Sequence, residues 1–243
     1  MQTKYLIVNA DDFGQSSGVN RGIIEAHEHG IVTSASLMTR WPSAAEAASY
    51  ARIHPELSVG LHIDLGEWAY HERNWLPLYR VVSLENVAAV KKEIATQLAS
   101  FRRLVGRDPT HIDSHQHVHL REPTRSAVLD FAAEVRVPIR HFSSEIRYCG
   151  NFYGQTAEGT PLPHFISVEA LIKILQGLPP GVTELGCHPA KEADLETMYA
   201  NERLIELAAL CDASLRQFIT KTNIQLCSFR ELEDFTHERV VDE

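Results

Sequence analysis

Short apolar runs alternate with longer amphipathic ones along nearly the whole chain, and this restricts the fold more than any other feature of the sequence. Residues 5–9, 32–38, 57–63, 111–119, 137–142, 182–187 and 224–229 read as strands. Helical spacing of apolar residues runs over 19–29, 43–52, 84–104, 124–134, 168–176 and 202–221, with Ser43 as an N-cap and Gly106 as a C-terminal stop. A strand–helix alternation repeated this often implies a mainly parallel sheet covered by helices. About seven strands in 243 residues suit an α/β fold with one closed or nearly closed β/α barrel, a single domain over 1–243, better than two domains. Residues 143–165, rich in Gly, Pro, Tyr and Phe, show no period. They are too long for an ordinary connection and are expected to form a functional loop or lid.

The formal charge of −9, with no basic stripe to offset it, argues against nucleic acid as a partner. Cys149, Cys187, Cys211 and Cys227 have neither C-x-x-C spacing nor the density of a disulfide framework, so reduced thiols and a cytoplasmic location are expected. The opening Met-Gln-Thr-Lys runs straight into a strand, leaving no room for a signal peptide, and no apolar stretch approaches the roughly 18 residues of a membrane span. A homodimer is compatible with the chain.

In parallel α/β folds, chemistry collects at the C-terminal ends of the strands. The unusual polar residues fall there: Asn9-Ala-Asp11-Asp12 after the first strand, His62 and Asp64 after the third, Asp113 to His117 after the fourth, and Cys187-His188-Pro189 after the sixth. The fourth strand is the densest. His111, Asp113, His115, His117 and His119 would share one face if it stayed extended. Imidazole is the commonest metal ligand, and a neighbouring carboxylate sets which ring nitrogen is free to bind. Same-side residues on a straight strand stand about 6.6–6.8 Å apart, too far for one ion to use all three of His115, His117 and His119. The strand should therefore end near His115. Asp11 and Asp12 repel unless a cation is near, and on an extended backbone they point different ways and need not do the same job. The bland alternatives are a solvated edge strand for 111–119, an Asx turn for Asp11-Asp12, and hydrogen-bonded core histidines for His62 and His188.

Several runs together resemble the YdjC-like carbohydrate deacetylases: Leu6-Ile-Val-Asn-Ala-Asp-Asp-Phe-Gly14, Gly22-Ile-Ile-Glu-Ala26, Gly30-Ile-Val-Thr-Ser34, Gly60-Leu-His62, Thr110-His-Ile-Asp-Ser-His-Gln-His-Val-His119 and Cys187-His-Pro-Ala190. The family includes a chitooligosaccharide deacetylase and a relative acting on hopanoid-linked sugars. The resemblance implies a distorted β/α barrel like that of the wider polysaccharide deacetylases, and metal-assisted removal of an N-acetyl group from an amino sugar. Carried over residue by residue, it makes Asp12, His62 and His115 the metal ligands, Asp11 the base and His188 the second catalytic group. Asp64, Asp113, His117, His119 and Arg147 are candidates for substrate contact or support of the ligands. Trp68, Tyr70, Trp75 and the stretch 148–153 follow no diagnostic pattern.

One divalent ion per chain is implied. One carboxylate and two imidazoles suit zinc or cobalt, magnesium prefers oxygen ligands, and the metal stays open between them. Two other functions remain compatible with the residues: a non-catalytic carbohydrate-binding protein with a retained metal site, and a metal phosphoesterase on the same barrel. The latter calls for basic residues near the strand ends, where Arg140 and Arg147 are the main ones.

Overall fold

The parallel sheet is curled around the central first strand. The computed structural model describes residues 3–232, and among them seven strands pair in parallel: β1 (Lys4–Phe13), β2 (Ser34–Leu37), β3 (Ser58–Ile63), β6 (Ile112–Ser114), β7 (Ile146–Cys149), β8 (Gly181–Cys187) and β9 (Ile224–Leu226). Their order is β6-β3-β2-β1-β8-β7, with β9 also paired to β1. An antiparallel hairpin, β4 (Gly66–His71) and β5 (Asn74–Arg80), stands apart. The helices are α1 (Ser17–Glu28), α2 (Ala44–Ile53), α3 (Val87–Val105), α4 (Thr124–Val135), α5 (Val168–Gln176), α6 (Asn201–Leu210) and α7 (Ala213–Thr220). None is long and apolar enough to cross a membrane, and all four cysteines are free.

Alternation along β1 explains how one strand serves two environments. Leu6, Val8 and Ala10 pack into the main core, whereas Ile7 belongs to a small cluster with Val182, Cys227 and Phe229. Further along the same side as Ile7, the sheet becomes polar: Asn9 donates to Ser36 Oγ at 2.8 Å, and Ser36 donates to Asp113 at 2.7 Å. The inside of the curl is thus apolar at the N-terminal ends of the strands and polar at the C-terminal ends.

Three expectations need correction. The strand at 137–142 reduces to one bridge between Ile112 and Ile139, because Pro138 has no N–H to give and His141 takes a left-handed φ of 70°. The seventh parallel strand is instead β7, inside the stretch 143–165, so that stretch is not wholly a loop. The helix at 202–221 is two helices, broken where Asp212 caps α7 by accepting from Ser214 N at 2.7 Å. The histidine run is extended only to Ser114. Left-handed φ values at Gln116 (50°) and His117 (52°) wind His115–Leu120 into a tight turn, so the strand ends near His115, as expected, with His117 and His119 beyond it.

Gly22 lies inside α1, where glycine costs about 1 kcal/mol relative to alanine. A Cβ there would fall 2.3 Å from Ala190 Cα, on the segment that follows β8 and carries His188. Gly22→Ala should therefore lower stability by about 1–3 kcal/mol instead of raising it. Denaturant unfolding of the variant checks this, and a gain in midpoint would mean that the helix and the segment are not in contact.

Candidate active site

A cavity of about 680 Å³ opens at the C-terminal ends of the strands and is lined by Asp11, Asp12, His62, His115 and His188 among others. Both aspartates reach it because the pairing register of β1 shifts between Ala10 and Phe13 and Asp12 adopts a φ of 68°. This bulge breaks the alternation that would have sent the two carboxylates to opposite sides. They still have separate partners. Asp12 meets the histidines, and Asp11 meets an arginine.

The Asp12, His62 and His115 ligand atoms lie within 4.8 Å of one another. Asp12 Oδ1 stands 3.3 Å from His62 Nε2 and 2.9 Å from His115 Nδ1, close to the ~3.3 Å separation of donors around a tetrahedral zinc. Asp113 Oδ1 holds His62 Nδ1 at 2.7 Å, leaving Nε2 to face the ion position. His115 Nε2 is buried and makes no hydrogen bond, with Glu67 Oε2 3.6 Å away. Burial opposes protonation of both rings, yet the facing carboxylates win: Asp113 lifts His62 well above the ordinary histidine value and Asp12 lifts His115 to about 10. The pocket attracts positive charge, and these donors fit a divalent ion. A second set, Asp11, His62 and Asp113, is also close enough, but a guanidinium already sits between its two carboxylates.

That guanidinium is Arg140. It is buried and grips Asp11 with two bonds (Nη1–Oδ2 2.6 Å, Nη2–Oδ1 2.7 Å), Asp113 at 2.8 Å and Glu184 at 2.6 Å, with its face 4.8 Å from the centre of the Tyr148 ring. Burial alone would raise the Asp11 and Asp113 carboxyls, but Arg140 outweighs it and holds both below the ordinary carboxylate value. Burial prevails at Glu184, which is pushed up to about 7.

The opposite wall comes from α6, whose N-terminal half turns charged residues inward while Leu207, Ala209 and Leu210 pack into the core. Glu202, Arg203 and Glu206 are buried, while Leu204 and Ile205 face outward. Arg203 holds Asp12 Oδ2 at 2.6 Å, and burial of Asp12 is again outweighed, first by Arg203 and then by His115, so its carboxyl stays well below the ordinary value. Glu206 lies 3.7 Å from His188 Nδ1 and accepts from the backbone N–H of His188 and the hydroxyl of Tyr199. His188 Nε2 points at Asp11 Oδ2, 3.8 Å away. Arg203, Glu206, Tyr199, Glu67 and Tyr148 were not singled out in the sequence. The signal available for α6 was a polar stripe (Tyr199, Glu202, Arg203, Glu206) at helical spacing, which by pattern alone reads as a solvated face.

The remaining candidates separate. His117 lines the cavity, its Nδ1 buried and unpartnered, its Nε2 3.5 Å from the Tyr148 hydroxyl, and burial pushes it down to about 3, so it is neutral. His119 lies below the cavity between Ser114 Oγ (2.6 Å) and the Arg140 carbonyl (3.2 Å). Asp113 is buried beneath His62. Asp64 accepts from Tyr79 (3.0 Å), Gly66 N (3.1 Å) and Trp41 (3.2 Å) at the root of the hairpin, outside the cavity. Arg147 alternates with Tyr148 on β7 and lines a separate cavity against α5, so it is not brought to this site. His111 stacks on Phe229 at 3.8 Å below the site.

A family model described as YdjC-like protein matches residues 5–221. A carbohydrate deacetylase of Brevibacillus brevis is 36% identical, the match covering 93% of this chain and 99% of the relative. A chitooligosaccharide deacetylase of Serratia marcescens is 32% identical over 94% and 99%. Among solved structures, a putative cellobiose-phosphate cleavage protein of Enterococcus faecalis superposes with a TM-score of 0.73 at 28% identity, covering 95% of this chain and 99% of its own. A family 4 carbohydrate esterase of Streptomyces lividans, at a TM-score of 0.56 and 14% identity over 94% and 93%, shares the fold.

Removing Arg140 leaves buried carboxylates without their counter-charge. Arg140→Met should cost about 3–5 kcal/mol of folding stability, and Arg140→Lys should fail to restore it fully because an ammonium lacks the planar fork. Urea unfolding of both variants measures this, and a loss under about 1 kcal/mol for the Met variant would refute a buried ionic hub.

Proposed function

The chain belongs to the YdjC-like protein family, and from that premise we propose that it is a metal-dependent carbohydrate N-deacetylase that hydrolyses the N-acetyl group of an amino sugar or chitooligosaccharide-type substrate and releases acetate. The observation that carries this reading is the set of three protein donors at the cavity beside the Asp11–His188 pair. A structural zinc closes its shell with four protein ligands, whereas a catalytic one keeps a position open.

In this reading Asp12, His62 and His115 hold the ion, with zinc or cobalt matching the donor set better than magnesium. When bound, the ion supplies Lewis-acid polarisation of the acyl carbonyl and of water. Arg140 keeps Asp11 ionised and aimed, so that it can take the proton of the attacking water. His188, steadied by Glu206, gives a proton to the leaving amine nitrogen. The 3.8 Å between His188 Nε2 and Asp11 Oδ2 supports a shared role for the two at one reacting point. Tyr148 and the neutral His117 line the wall as contacts for substrate hydroxyls or the acetyl group. The reading takes the chain as one catalytic unit acting in the cytoplasm on a sugar.

Phosphate as the reacting group is disfavoured. A phosphoesterase needs unpaired cations over the reacting centre, but Arg140 serves three carboxylates, Arg203 is paired with Asp12, and Arg147 lines another cavity. A purely carbohydrate-binding role leaves the open position and the proton-transfer pair without a use.

Purified protein should release acetate from N-acetylglucosamine oligomers and stop after chelation, recovering with added zinc or cobalt. No acetate from any N-acetylated sugar under reloaded conditions would end the proposal. Asp11→Asn should lower kcat by about 10²–10⁴-fold with ion content unchanged by elemental analysis, while Asp12→Asn loses the ion. Near-normal turnover in Asp11→Asn would move the base elsewhere.

A further inference from the structure

Beyond the cavity at the strand ends lies a second one of about 680 Å³, and the two share Trp68, Trp75, Gln116 and Tyr153 in their walls. Each falls within the roughly 300–1,000 Å³ of ordinary ligand sites. The shared wall comes mainly from the hairpin. Tyr70 is paired with Trp75 and Trp68 with Pro77, so these four residues occupy one face of it. Trp75 is 52% exposed, and its ring meets that of Tyr70 edge-on at 5.6 Å. Leu76 and Leu78 alternate with it on the other face. The far side of the second cavity offers Arg80, Glu85 and Arg121, exposed side chains with no ion pair or side-chain hydrogen bond among the described residues.

An exposed indole such as that of Trp75, with polar groups around it, matches a pyranose ring, which has apolar C–H faces and a rim of hydroxyls. We propose that the Trp68–Trp75 face of the β4–β5 hairpin is the binding site for a further sugar ring of the substrate, carrying an oligosaccharide from the cavity over the metal ligands into the adjoining one. This rests on the deacetylase reading for the identity of the first ring. The continuity of the two cavities through the same four side chains selects this occupant.

The hairpin is also fastened to the ligands. Gln116, next to His115, accepts from Trp68 N at 2.9 Å and donates to Trp68 O at 2.8 Å, so its side chain pairs with the strand as a neighbouring strand would. Glu67 of the same strand accepts from Thr197 at 2.6 Å. The platform is thereby held at a set position relative to His115.

The test is binding of N-acetylglucosamine and of its linear trisaccharide, followed by calorimetry, with acetate release measured in parallel. Wild type should bind the trisaccharide at least about tenfold tighter than the monosaccharide. Trp75→Ala should lose most of that ratio, Trp75→Phe should keep most of it, and the KM ratio for acetate release should change in step. Equal affinity for both sugars in wild type, or a ratio unaltered in Trp75→Ala, overturns the proposal. Length-dependent binding through Trp75 without acetate release keeps the sugar site and removes the deacetylase reading. A wild type that dimerises and a Trp75→Ala chain that does not, with no dependence on sugar length, makes the face an interface between two copies and overturns the sugar site.

Discussion

One buried guanidinium holds the open side of the curled sheet together. Between Ile139, which bridges to β6, and β7 no strand intervenes among the described residues, so backbone pairing does not close the curl there. Arg140 closes it with charge, reaching from Asp113 on the β6 side to Glu184 on β8 and stacking on Tyr148 of β7. Its fork also sets the Asp11 carboxylate, and Asp113 in turn sets the His62 ring. Closure of the fold and orientation of the candidate base and one candidate ligand therefore depend on the same side chain. Buried ion networks seldom add net stability over apolar packing. Their use here is geometric, since each carboxylate has one place to be.

The site divides into two halves with distinct origins. The floor is built by parallel strands whose inner faces become polar toward the C-terminal ends: Asn9, Ser36, His62, Asp113 and Glu184 are linked by hydrogen bonds and the Arg140 ion pairs. The wall is supplied by α6 and the hairpin, elements that present groups the strands cannot. Arg203 occupies one oxygen of Asp12 and leaves the other to the histidines. Glu206 holds the segment that bears His188.

Much of this was legible in the chain itself. The positions of Asp11, Asp12, His62, His115 and His188 followed from parallel strands ending where polar residues begin, while the reach of one ion showed only that the strand had to stop within the histidine run, and the family resemblance singled out His115. The parts that escaped share a cause: each reverses a local pattern that tertiary contacts override. The apolar run at 137–142 looks more like a strand than Ile146-Arg-Tyr-Cys149, yet Pro138 and His141 limit it to one bridge, while the shorter run pairs fully with β8. The charged stripe of α6 resembles a solvated face because nothing in the helix says that its partners are Asp12 and His188. Arg140 invited interpretation as a contact for an anion from outside, whereas its anions are the protein's own. The hairpin carries no clean alternation, because both of its faces hold large apolar side chains.

Gln116 adds a consequence of a different kind. Its amide is hydrogen-bonded at both ends to the hairpin strand, and its neighbour in the chain is a donor of the three-membered set. Two binding events that share one mechanical fastener are linked thermodynamically only where one of them moves it. If a ligand on the hairpin shifts the turn at His115 and so alters the hold on a cation, the cation alters the hold on that ligand by the same factor, whichever arrives first. The apparent affinity for a long substrate then depends on the concentration of free ion in the medium, and the retention of the ion depends on what the hairpin carries.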